Sequence, residues 1–125
     1  MKHALRVLIV EDEVFAAMYL ELELKRLGHQ VVGKSSTGED AVGTARTEQP
    51  DVVFMDIRLA GEIDGIEAAG RIREEGNPLI YFTTGYDDEA TRSRAETVGP
   101  AGFFTKPLDM NAVTRVLEHA GSGGE

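Results

Sequence analysis

Asp56 is the residue whose setting most demands chemistry. It stands in VVFMDIRL, residues 52–59, where four apolar residues run straight into one carboxylate. A run this apolar and β-branched reads as a strand buried on both faces. An ionised carboxylate at its end is costly unless something pairs with it. Three other apolar runs end in suitable partners. Residues 5–10 (LRVLIV) lead into Glu11, Asp12 and Glu13, residues 79–83 (LIYFT) into Thr84, and residues 101–105 (AGFFT) into Lys106 and Pro107. If the four runs are parallel neighbours, their carboxyl ends share one sheet edge, the edge at which open α/β sheets bind ligands. That edge gathers Glu11, Asp12, Asp56, Thr84 and Lys106.

Three carboxylates near one point repel one another and raise each other's pKa values. A divalent cation resolves the conflict, and oxygen donors without His or Cys suit Mg²⁺ or Mn²⁺. Such a cation beside Asp56 would also neutralise an incoming phosphoryl group, with Lys106 on one phosphoryl oxygen and the Thr84 hydroxyl on another. This is equipment for attack by an Asp carboxylate on phosphorus, giving an aspartyl phosphate. No general base is needed, because the carboxylate is already the nucleophile. Taken singly, each residue has a plainer reading. Asp56 could cap a turn. Glu11, Asp12 and Glu13, like residues 87–89 (DDE), could bias helix N-termini. Lys106 could be a surface lysine before a Pro turn, and Phe103 plain core. It is the set, in register, that argues for chemistry.

The elements that must position this set alternate along the chain. Strands are expected at 4–10, 30–35, 51–56, 79–84 and 101–105. The first helix, about 13–27, carries Val14, Met18 and Leu22 as a stripe, with Leu20, Leu24 and Leu27 beside it, and Gly28 as its stop. Thr37 caps a second helix, with Asp40 as its capping-box partner; Pro50 limits it. Residues 58–64 read as a loop. Ile66, Ala69 and Ile72 support a helix over about 64–75. The segment 87–99 is helical in spacing but poor in apolar residues. Only Ala90, Ala95 and Val98 can pack well, so a loosely held helix is expected there. Asp109 caps a last helix with Met110, Val113, Val116 and Leu117 facing inward. The pattern (βα)5 implies an α/β fold, a doubly wound five-stranded parallel sheet with helices on both faces and right-handed crossovers.

Composition narrows the function. At 125 residues the chain is expected to be one domain, 1–120, with 121–125 (GSGGE) a flexible tail or the start of a linker. With 13 basic and 22 acidic residues the net charge is −9, which argues against a direct grip on nucleic acid. The absence of cysteine excludes a disulfide framework, a thiolate metal site and a Cys nucleophile. No segment has the apolar length of a membrane span, and the apolar N-terminal run turns acidic at Glu11, unlike a signal peptide. A cytoplasmic location is expected. His3, His29 and His119 are scattered and read as solvent-facing or incidental. No P-loop or Gly-rich dinucleotide motif is present.

Together these motifs carry a family resemblance over essentially all of residues 4–119. Glu11-Asp12 follow the first strand, MDIRL surrounds Asp56, and Asp64-Gly65 open the third helix. Thr84-Gly85 follow the fourth strand and Lys106-Pro107 the fifth. The chain resembles a response-regulator receiver domain of two-component signalling, of the CheY-like superfamily with its flavodoxin-like strand order 2-1-3-4-5. The resemblance implies that Asp56 is a phosphoacceptor, taking a phosphoryl group from a phosphohistidine of a sensor histidine kinase or a histidine phosphotransfer protein. It implies that Asp12 binds Mg²⁺ directly, that Glu11 does so directly or through water, and that the Arg58 backbone carbonyl is a further ligand. Thr84 and Lys106 would contact the phosphoryl group, with backbone N–H groups near Ile57 and Gly85. Phe103 falls at the aromatic switch position, and Lys106-Pro107 is expected to be cis. Phosphorylation would shift the face made by helix 87–98, strand 101–105 and the last helix, for an output protein to read.

Some positions depart from the commonest pattern. Glu11 stands where Asp is more usual. Thr83 and Thr84 compete for the switch role, and Thr84 is preferred because Gly85 and Tyr86 follow it. Phe103 lacks a hydroxyl, so its two states differ by packing alone. Arg58 and Tyr86, each two residues past a site residue, flank the entrance and are expected to tune the phosphoryl lifetime by limiting water. The chemistry would be self-catalysed and not that of a substrate-turning enzyme. The expected partners are proteins, with no membrane contact, and the expected state is a monomer or a phosphorylation-dependent dimer. Met1 and the stretch MDIRLAGEIDGIEAA point to a stand-alone or N-terminal receiver. Two alternatives compete: a receiver-like interaction module that takes no phosphate, and a haloacid-dehalogenase-type phosphatase. The first is disfavoured by the complete site. The second needs an Asp where Arg58 stands.

Overall fold

The computed structural model describes residues 4–121. His3 and residues 122–125, with most of the expected tail, lie outside the described residues. Five strands, β1 (Arg6–Val10), β2 (Gln30–Ser35), β3 (Val52–Asp56), β4 (Leu79–Thr84) and β5 (Gly102–Thr105), form one parallel sheet in the order β2-β1-β3-β4-β5. They alternate with α1 (Val14–Arg26), α2 (Gly38–Glu48), α3 (Gly65–Glu75), α4 (Glu89–Glu96) and α5 (Met110–Gly121). The expected architecture and strand order are those observed. β3 is central and buried at every position, as its unbroken apolar run requires.

Alternation along the strands sends side chains to two cores. Leu8, Val10, Val53, Met55, Ile80 and Phe82 meet α2, α3 and α4. Val7, Ile9, Val52, Phe54 and Tyr81 meet α1 and α5 through Leu20, Leu24, Val113 and Leu117. On the second side Phe54, Tyr81 and Phe104 pack with ring centroids 5.7–6.1 Å apart.

Helix ends follow side-chain chemistry. Glu13, Thr37, Asp64 and Asp88 each accept a backbone N–H of the first turn, so each is a cap and not the first helical residue. Gly28, at φ 94°, ends α1 in a conformation that glycine adopts without strain. Asp109 Oδ1 accepts the Asn111 N–H at the start of α5.

Three expectations need correction. In α1 the buried stripe is Ala17, Leu20 and Leu24, whereas Val14, Met18 and Leu22 point outward. α4 is shorter than expected and buries only Ala95; Val98 packs from beyond its end and Ala90 is exposed. His29 is half-buried, and its Nδ1 accepts the Leu5 N–H at 3.1 Å, tying the turn after α1 to the start of the sheet.

Candidate functional site

The parallel register places the carboxyl ends of β1, β3, β4 and β5 side by side, with Asp56 opposite Thr83 and Thr84 opposite Thr105. Asp56 is almost fully buried at this edge. Lys106 Nζ sits 2.8 Å from Asp56 Oδ2 and 2.8 Å from Glu11 Oε1. Asp12, exposed, accepts the Ala60 N–H at 3.3 Å. One carboxylate oxygen from each of Glu11, Asp12 and Asp56 lies within 4.8 Å of the others. The set thus holds three carboxylates and one bridging ammonium, an excess of negative charge on oxygen donors alone. These residues fit a hard divalent cation such as Mg²⁺ or Mn²⁺.

Burial, with Glu11 beside it, pushes the Asp56 carboxyl up to about 6, against the opposing pull of Lys106. For Lys106 burial works against the charge, but hydrogen bonds to Asp56 and Glu11 outweigh it and raise its pKa.

The loop after β3 is drawn tight around Asp56. Arg58 N–H donates to Asp56 Oδ1 at 3.1 Å, and Gly65 N–H to the Ile57 carbonyl at 2.8 Å. A Cβ on Gly65 would lie 2.0 Å from the Asp56 carbonyl oxygen, so only glycine lets α3 start this close. The N–H expected near Ile57 is that of the next residue. Ile57 N–H is committed to the Thr83 carbonyl at 3.1 Å, a ladder bond that continues β3, and the amide facing the carboxylate is that of Arg58.

On the other side of the edge, Thr84 Oγ1 accepts the Tyr86 N–H and donates to the Tyr86 carbonyl, each at 3.0 Å. Thr84 therefore holds its own loop and makes no bond to Asp56 here, while Lys106 N–H ties β5 to the Thr84 carbonyl at 2.8 Å. The Lys106-Pro107 peptide is cis. The Arg58 guanidinium lies 4.5 Å from the centre of the exposed Tyr86 ring, so the two flanking residues touch. Phe103 is half-buried against Phe82, with centroids 5.8 Å apart. Arg92 of α4, itself 3.3 Å from Asp87, covers its other side at 4.1 Å from the ring centroid. Sequence reasoning missed Arg92. Nothing local in the sequence joins it to Phe103, since the contact exists only once α4 is laid against β5.

The sequence matches the response regulator receiver domain family over residues 7–118. It is 32% identical over 115 residues to the transcriptional regulatory protein PdtaR of Mycobacterium tuberculosis, covering 92% of this chain but 56% of that protein. It is 34% identical over 116 residues to the protein PilH of Pseudomonas aeruginosa, covering 90% of this chain and 93% of that protein. The fold superposes on the signal receiver domain of a modulated diguanylate cyclase from Desulfovibrio desulfuricans G20. The TM-score is 0.88 at 36% identity, covering 98% of this chain and all of the other. No helix among the described residues is long and apolar enough to cross a membrane.

Proposed function

This chain belongs to the response regulator receiver family, and from that premise we propose that Asp56 accepts a phosphoryl group from the phosphohistidine of a sensor kinase or histidine phosphotransfer protein. The observation that carries the reading is Lys106, bridging the buried Asp56 and Glu11 at 2.8 Å to each. An Asp56 oxygen attacks phosphorus, the O–P bond forms as the N–P bond breaks, and the electron pair of the broken bond stays on the ring nitrogen. Lys106 and the Arg58 N–H then hold phosphoryl oxygens. Asp12, Asp56, the Arg58 carbonyl, and Glu11 directly or through water would hold Mg²⁺, which would supply charge neutralisation for the transferred group.

Phosphorylation adds charge where Thr84 can reach it. The Thr84 hydroxyl leaves Tyr86 for the phosphoryl oxygen, the loop before α4 loosens, and Phe103 trades its Arg92 cover for the vacated space. An output protein that prefers the shifted α4–β5–α5 face reads the signal. Arg58 and Tyr86, stacked over the entrance, limit water and set the phosphoryl lifetime. The chemistry is self-catalysed and single-turnover, in keeping with a switch and not a substrate-turning enzyme.

The test is intact mass after incubation with acetyl phosphate and Mg²⁺. One added phosphoryl group is expected, lost in Asp56→Asn and on chelation. A folded protein that takes no phosphoryl group would instead be the phosphate-independent interaction module.

A further inference from the structure

The loop between β3 and α3, residues 57–64, meets a carboxylate at every second amide from 58 to 62. Arg58 N–H donates to Asp56 at 3.1 Å, Ala60 N–H to Asp12 at 3.3 Å, and Glu62 N–H to Glu39 Oε2 at 2.9 Å. The three acceptors come from three places: the end of β3, the turn after β1 and the first turn of α2. Asp56 and Asp12 belong to the acidic cluster. Glu39 does not, and the phosphoryl chemistry gives it no task.

Glu39 is nonetheless built into the loop. Its carboxyl is held below the ordinary carboxylate range, first by the Glu62 N–H, with its own N–H and that of Ile63 adding. Gly61 passes beside it at φ 102°, and a Cβ there would stand 2.8 Å from Glu39 Oε1. Residue 61 is thus glycine for two reasons, its left-handed backbone and the room the carboxylate takes. An isolated parallel bridge joins Thr37 to Ala60. Buried Ile63 comes so close to Gly38 that a Cβ on Gly38 would lie 2.7 Å from Ile63 Cγ1. Residues 37–39 therefore clasp residues 60–63.

We propose that Glu39 is a positioning residue of the metal site. It fastens the far end of the loop to α2, so that Arg58 and the Ala60 N–H keep their places beside Asp56 and Asp12. The inference rests on the reading of the acidic cluster as a Mg²⁺ site. Packing does little to hold this loop, since from Arg58 to Glu62 only Leu59 is even half-buried. Asp12 is exposed too, so its order depends on the bond to Ala60. Ligands set in place before the cation arrives cost less to order on binding. Outer partners that orient metal ligands count for about tenfold or more in affinity. Glu39 acts one step further out, through the loop, and about tenfold is expected of it. Its role is that of a hydrogen-bond acceptor and not of a distant charge, which separates two substitutions. Glu39→Gln keeps an acceptor for the Glu62 N–H, and Glu39→Ala does not.

Mg²⁺ affinity by calorimetry tests the proposal, well above the pH of about 6 at which Asp56 takes its proton. Asp40→Ala, on the same exposed turn, controls for the lost charge. Glu39→Ala should bind Mg²⁺ about tenfold more weakly than wild type, and Glu39→Gln and Asp40→Ala no more than about threefold. A second readout needs no metal. Solvent exchange of the Arg58 and Ala60 amides, followed by NMR in metal-free protein, should quicken in Glu39→Ala and in neither of the others. The urea midpoint of Glu39→Ala should match that of Asp40→Ala. Wild-type affinity in Glu39→Ala overturns the proposal alone. So does an equal loss in Glu39→Gln or Asp40→Ala, which assigns the effect to charge. Exchange that quickens at Glu62 but not at Ala60 overturns it as well, because the clasp is then local. A wild-type protein that binds no Mg²⁺ overturns the metal reading, and the proposal with it.

Discussion

α3 and α4 lie on the same side of the sheet and are held by different forces. α3 buries Gly65, Ile66, Ala68, Ala69 and Ile72, and its first residue touches the backbone of Asp56. α4 buries only Ala95. It is otherwise attached by Arg94 to Asp64 at 3.0 Å and by the Arg92 guanidinium over Phe103. A fully buried Ile contributes about 1.5–3 kcal/mol, and an exposed ion pair about 0–1 kcal/mol. One wall of the acidic site is therefore packed in place, and the other is tethered by contacts weak enough to exchange. A switch needs both: a fixed frame for the carboxylates and a neighbour whose rearrangement costs little.

The comparison breaks most sharply at Gly65. Gly65→Ala drives a Cβ into the Asp56 carbonyl and should cost at least about 3 kcal/mol in urea unfolding. A loss under about 1 kcal/mol would mean that α3 can retreat and is not a fixed frame. Next comes the core pair across the two walls. Ile72→Ala should cost about 2–5 kcal/mol, and Val98→Ala about 1 kcal/mol or less, because Val98 is only partly buried. Equal losses would erase the contrast.

The fixed wall also sets a pH dependence. With Asp56 held up to about 6, Mg²⁺ affinity measured by calorimetry should weaken as pH falls through about 6, by about tenfold per unit below it. In metal-free protein the sign for stability is opposite. The folded state takes the proton more readily than the unfolded chain, whose ordinary value is 3.8. Asp56 therefore favours folding as pH falls from about 6 toward 4, a contribution lost as pH rises through 6. Asp56→Asn should flatten that slope. The smallest effect is expected at Arg92. Arg92→Ala should change stability by no more than about 1 kcal/mol, yet raise hydrogen exchange in α4 and β5 and leave α3 unchanged.

Much of this was legible because parallel buried strands are near-continuous apolar runs, and the residues closing them fall on one edge. The acidic pair, Asp56, Thr84 and Lys106 all close or directly follow such runs. The face of α1 was not legible. Val14, Met18 and Leu22 show a helical period as good as that of Ala17, Leu20 and Leu24, and a period does not say which stripe is inward. The weak packing of α4 could be read from its composition, but not that Ala90 would stay outside. The commitment of the Ile57 amide and the Arg92–Phe103 contact depend on elements distant in sequence, whereas the Thr84 hydroxyl bonds Tyr86, two residues on.

The measurement that tests the central claim most directly is hydrogen exchange by mass spectrometry, with and without Mg²⁺ and acetyl phosphate, at equal extents of modification. The account predicts that phosphorylation changes exchange across residues 84–105 while α3 beyond its first turn stays as it was. Changes of similar size in α3, or none in residues 84–105, would contradict the division into a fixed and a movable wall.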